Sequence, residues 1–100
     1  MQCFGELIRR LREDEGYPLR IVSAELNIDQ AILSKIERGK RKASKEHISI
    51  LANFFNYDEK LLKIAYLSDI VAYELFEEED TNAVLKVAEK KINYLRLKYE

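Results

Sequence analysis

Apolar residues recur along most of this chain at spacings of three and four, the period of an amphipathic helix, and polar punctuation cuts the pattern into successive segments. The first runs from about Phe4 to Glu15, with Phe4, Leu7, Ile8 and Leu11 on a buried stripe, Arg9, Arg10 and Arg12 facing out, and Gly16 ending it. A second runs from about Leu19 to Leu26 and a third from about Gln30 to Arg38, stopping at Gly39. Between them Asn27 tolerates the left-handed backbone of a sharp turn, and Asp29 can cap the next helix. Small Ser23 falls where two crossing helices come closest, and a bulky residue there would push them apart. Ser44 opens a fourth helix carrying Ile48, Leu51, Ala52 and Phe55 on one face; Asn56-Tyr57 break it, and Asp58 caps the fifth. That fifth helix begins near Glu59 and its apolar pattern continues to Phe76, as one long rod or as two pieces split near Ser68-Asp69. An acidic run, Glu77 to Asp80, interrupts the period, and Asp80 or Thr81 can cap a last helix reaching about Tyr99.

The pattern predicts an all-α chain, and composition agrees: three Gly, one Pro and 35% charged residues leave little support for β structure. One hundred residues with 47% hydrophobic content suffice for a single compact core. The longest stretch free of Asp, Glu, Lys and Arg, His47 to Tyr57, is well short of the roughly 20 residues of a membrane span. The N-terminus runs straight into a charged helix without an apolar signal core, so the expected location is the cytoplasm. Cys3 is the only cysteine and can form no internal disulfide. Neither Cys3 nor the solitary His47 has the companions of a metal site or a catalytic triad, and Gly5, Gly16 and Gly39 are too far apart for a phosphate loop. Neither an enzyme nor a cofactor is expected.

The stretch GYPLRIVSAELNIDQAILSKIERG, residues 16 to 39, resembles the Xre/Cro-type helix-turn-helix family, most closely in its ending Ser34-Lys35-Ile36-Glu37-Arg38-Gly39-Lys40. The resemblance covers about residues 4 to 58 and implies a five-helix lambda-repressor-like DNA-binding domain, here followed by a C-terminal helical extension. We place the domain at 1–68 and the extension at 69–100. Pro18 and Leu19 stand where the family usually has a polar cap and a Gln, so the phosphate contact of that Gln is lost, and Arg20 is the expected substitute.

A helix laid in the major groove reads base edges with its first turn and outer face, here Gln30, Ala31, Ser34 and Lys35. Gln30 can bind adenine bidentately, Lys35 can donate to guanine, Ala31 can pack on a thymine methyl, and Ser34 can donate to a base or phosphate. Leu33 and Ile36 should be buried; in the family pattern Ile32 lies nearer the DNA, where an apolar contact to thymine is available. Net charge is −1, but residues 35 to 45 concentrate Lys35, Arg38, Lys40, Arg41, Lys42 and Lys45 against the single acid Glu37. With Arg20 these are the expected phosphate contacts, aided by the amino ends of the second and fourth helices. Glu37 reads as structural, salt-bridged to Arg12 or Arg9, because a free carboxylate beside DNA opposes binding.

One recognition helix reads too few base pairs to find an operator, so a homodimer on a palindrome is the expected solution. Tyr66, Ile70, Tyr73, Leu85, Ile92 and Leu95 are its candidate contacts. The seam Leu85, Ala88, Ile92, Leu95 and Tyr99 either packs back on its own domain or joins subunits. The family resemblance admits phage-type repressors, antitoxins and restriction-modification controllers; the last is preferred because a DNA module with a dimerising tail suits autoregulation, although the tail makes the chain longer than typical controllers. The alternative from another class is a protein-interaction module that holds a partner protein through its C-terminal helices.

Overall fold

The computed structural model describes residues 2–100, leaving Met1 outside the described residues. Six helices follow one another: α1 (Phe4–Asp14), α2 (Leu19–Leu26), α3 (Gln30–Glu37), α4 (His47–Phe54), α5 (Glu59–Leu75) and α6 (Thr81–Lys98). The chain is all-α, and no strand occurs among the described residues. Two compact units divide between Ile70 and Val71, a point inside α5.

In the first unit α1 and α2 both pack on α3, and α2 also meets α4. Ile8, Val22, Leu33 and Leu62 are fully buried, joined by Leu7, Leu26, Ile36, Ile48, Leu51 and Tyr66 in a single core. Ser23 is buried among them, its hydroxyl returned to the Arg20 carbonyl at 3.2 Å, so the close helix crossing leaves no polar atom stranded.

Four of these helices end the same way. Gly16, Asn27, Gly39 and Asn56 all adopt left-handed backbone, with φ of 71°, 54°, 73° and 51°. At each, the amide of the next residue reaches five residues back: Tyr17 to Arg12, Ile28 to Ser23, Lys40 to Lys35 and Tyr57 to Ala52, at 2.8–3.1 Å. This motif satisfies otherwise orphaned carbonyls and turns the chain sharply, as the punctuation of the sequence predicts.

One expected cap and one expected start are corrected, and one alternative left open by the sequence is decided. Asp29 stands at the N-cap of α3, but its carboxylate makes no capping hydrogen bond; its carbonyl accepts from Leu33 at 3.1 Å and its extended backbone starts the helix. Ser44 does not open α4, which begins at His47, because Ser44 closes a preceding turn: its amide donates to His47 Nδ1 at 3.4 Å and its carbonyl accepts from the His47 amide at 3.0 Å. α5 is continuous through Ser68 and Asp69. The Ser68 hydroxyl bonds back to Ala65 in its own helix, and Asp69 accepts from the Phe4 amide at 2.8 Å, capping α1 instead of breaking α5. Asp58 does cap α5, accepting from Lys60 and Leu61.

The second unit holds the end of α5 and all of α6. No residue of α6 is buried, and its large apolar side chains, among them Leu85, Ile92, Leu95 and Tyr99, are exposed. No helix among the described residues is long and apolar enough to cross a membrane.

Candidate nucleic-acid interface

α3 is two-faced. Leu33, Ile36 and Glu37 turn inward and are buried, while Gln30, Ala31 and Lys35 are exposed and Ser34 is half-buried at the margin. The four residues predicted to read bases therefore lie on one outward strip, as the helical period requires. Ile32 is half-buried and packs against the core, so it is held by the fold rather than presented with that strip.

What holds α3 at its angle is a clamp between α1 and α3. Arg12 grips Glu37 with two hydrogen bonds, Nε to Oε2 at 2.8 Å and Nη2 to Oε1 at 3.0 Å, and its Nη1 donates to the Tyr17 carbonyl at 2.8 Å. One guanidinium thus ties the end of α3 to the end of α1 and to the turn entering α2. The hydrogen bond to Glu37 holds the Arg12 pKa above its ordinary value, with burial working against it, so the guanidinium stays charged. Of the two arginines the sequence offered to Glu37, Arg12 makes the bridge; Arg9 pairs with Glu13 on its own helix at 3.2 Å. Arg12 is accordingly not an outward-facing residue, and Glu37 is structural.

Gly5 was not singled out by sequence reasoning, yet it sets the distance between the same two helices. A Cβ there would stand 2.2 Å from the Ile36 carbonyl oxygen and 2.8 Å from that of Glu37, both backbone atoms that cannot step aside. The only signal available was a glycine inside a helical pattern, which marks close approach without saying of what.

Beyond α3 the basic loop is exposed at Lys40, Arg41, Lys42 and Lys45, with Ala43 alone buried. Tyr66 fastens this loop: its hydroxyl donates to the Ala43 carbonyl at 2.7 Å, and its ring meets Phe4 edge-on at 5.3 Å. Tyr66 is thus a core residue of its own unit, which removes it from the dimerisation candidates. Ile70 and Tyr73 are exposed, as are Leu85, Ile92 and Leu95. Arg38 is exposed but leans on its own helix, Nε donating to the Ser34 carbonyl at 3.3 Å. Arg20, in the first turn of α2, is exposed; that turn holds no acidic residue and Pro18 supplies no side-chain cap. With Glu37 consumed by Arg12, the six cations between Lys35 and Lys45 face no carboxylate from within their own segment.

Among the described residues no group of three or more His, Cys, Asp or Glu is placed to hold a metal ion. A family model described as helix-turn-helix matches residues 8–62, more than half of the chain. Among curated proteins no match to the chain is found. An outward strip on α3, a left-handed Asn turn before it and a cationic loop at its exit accompany that match, and the chain belongs to the Xre, lambda-repressor-like helix-turn-helix family of DNA-binding regulators.

Proposed function

We propose that the protein is a sequence-specific transcriptional regulator that acts in the cytoplasm as a homodimer on a palindromic operator. The observation that carries this reading is the division of α3 into a buried face and an exposed strip of Gln30, Ala31 and Lys35, followed at once by a cationic loop. Gln30 and Lys35 read adenine and guanine edges, Ala31 meets a thymine methyl, and Ser34 donates at the margin of the groove. Arg20, Arg38, Lys40, Arg41, Lys42 and Lys45 hold phosphates, which gives affinity without sequence preference. The amides opening α2 assist, since no carboxylate competes for them in that turn. A DNA module with little else beyond a tail suits autoregulation of the kind restriction-modification controllers perform.

Selection from a random duplex pool at two salt concentrations tests the reading. A recovered palindrome with half-sites about one helical turn apart supports it. Recovery of no motif, with binding abolished at modest salt, refutes sequence-specific regulation. The exposed apolar side chains of α6 favour the second reading, a module that holds a partner protein such as a toxin, and that reading gains if the duplex selection fails.

A further inference from the structure

α6 carries an apolar seam whose large side chains are exposed: Leu85, Ile92 and Leu95 are 45%, 48% and 46% exposed, and Tyr99 is 76% exposed. With Thr81 and Ala88 the seam steps by four, three, four, three and four residues, the alternation of a helix that pairs with another helix. Any such alternation reads the same in reverse, so spacing alone does not choose a direction. Side-chain size and charge do.

We propose that α6 pairs with α6 of a second copy of this chain in antiparallel, about a twofold axis passing near Lys90. The inference rests on the homodimer reading above and names the surface that makes it. In this register Thr81 meets Tyr99, Leu85 meets Leu95 and Ala88 meets Ile92, so that a small residue lies opposite a large one at both uneven layers. A parallel pair would set Ala88 on Ala88 and Tyr99 on Tyr99, leaving a gap in one layer and crowding in another.

Charge points the same way. The approach to α6 is acidic, with Glu77, Glu78, Glu79 and Asp80, and its last turns carry Arg96 and Lys98. Antiparallel pairing sets the last turns of one α6, with Arg96 and Lys98, beside the acidic approach to the other. Parallel pairing would stack the acidic ends on each other and bring Lys91 beside Arg96. Against the antiparallel register stand Glu89 facing its own copy on one side of the axis and Lys91 facing its own copy on the other. Both are exposed pairs, which solvent and salt screen well.

Disulfide trapping in the full chain, with Cys3→Ser to remove the native thiol, distinguishes the arrangements. Leu85→Cys and Leu95→Cys chains, mixed and oxidised, should cross-link to each other and not to themselves. A Leu85→Cys chain that cross-links with itself overturns the antiparallel register. A second set of variants needs no thiol. Arg96→Glu with Lys98→Glu should raise the dimer dissociation constant on the order of tenfold in low salt, and adding Glu77→Lys, Glu78→Lys and Glu79→Lys to the same chain should recover most of the loss. Sedimentation of the unaltered chain separates the two levels: a monomer at all concentrations refutes the homodimer reading itself. A dimer indifferent to every α6 variant preserves that reading and refutes this interface.

Discussion

Residues up to Ile70 and residues 71–100 carry the same kind of apolar periodicity, and their side chains meet opposite surroundings. In the first unit the stripes of α1 to α5 converge: Ile8, Val22, Leu33 and Leu62 are each 0% exposed. In α6 an equally regular stripe buries nothing. Periodicity records that a face is made to be covered, and it is silent on whether the cover lies in the same chain. Polar residues show the same contrast. Glu37 and Tyr66 in the first unit each have a partner distant in sequence, whereas the charges of α6 face solvent.

The largest expected effect that tests this contrast is core truncation. Leu33→Ala or Leu62→Ala should lower unfolding free energy by about 2–5 kcal/mol in urea titrations, while Leu97→Ala, at a position 78% exposed, should stay within about 0.5 kcal/mol. Equal losses at the two kinds of site would erase the distinction. Next is Gly5→Ala, where the added methyl must push α1 from α3. A cost of about 1–3 kcal/mol is expected, seen as a drop in melting temperature of roughly 5–20 °C, although alanine is the better helix former. No drop would mean that the helices separate freely.

Glu37→Ala should cost about 2 kcal/mol by leaving Arg12 half-buried and unpaired, and a double-mutant cycle with Arg12→Ala should recover a coupling of comparable size. Tyr66→Phe removes only the hydroxyl that holds Ala43, so about 1 kcal/mol is expected, with faster hydrogen exchange in the loop from Gly39 to Lys45 as its local signature. Smallest in stability is Lys35→Ala, within about 0.5 kcal/mol, yet it should cost about 1–3 kcal/mol in discrimination between DNA sequences, measured by competition binding. Arg41→Ala should instead weaken all sequences alike and reduce the salt slope by about one.

Much of the fold was legible in the chain because its signals are local. The breaks at Gly16, Asn27, Gly39 and Asn56 depend on which residues tolerate positive φ, and the cap at Asp58 on a carboxylate within reach of its own helix. The outward strip of α3 followed from helical period alone. The side-chain cap expected of Asp29 and the start expected at Ser44 are absent because a capping side chain competes with carbonyls and turns that only the folded backbone arranges. Whether α5 breaks at Asp69 was left open, and Tyr66 looked like surface, because the Phe4 amide and the Ala43 carbonyl they serve lie far along the sequence.

The sequence by itself determined where the amphipathic segments lie, the left-handed stops that end four of them, the direction each apolar face must turn and the cationic exit of α3, since each depends on residues within a turn or two of one another. Tertiary structure decided which helices of the first unit meet, that Gly5 sets the gap between α1 and α3, that Arg12 and not Arg9 neutralises Glu37, and that Tyr66 is held in the core. Those outcomes depend on distances between groups remote in the chain, and such distances exist only once the core has closed.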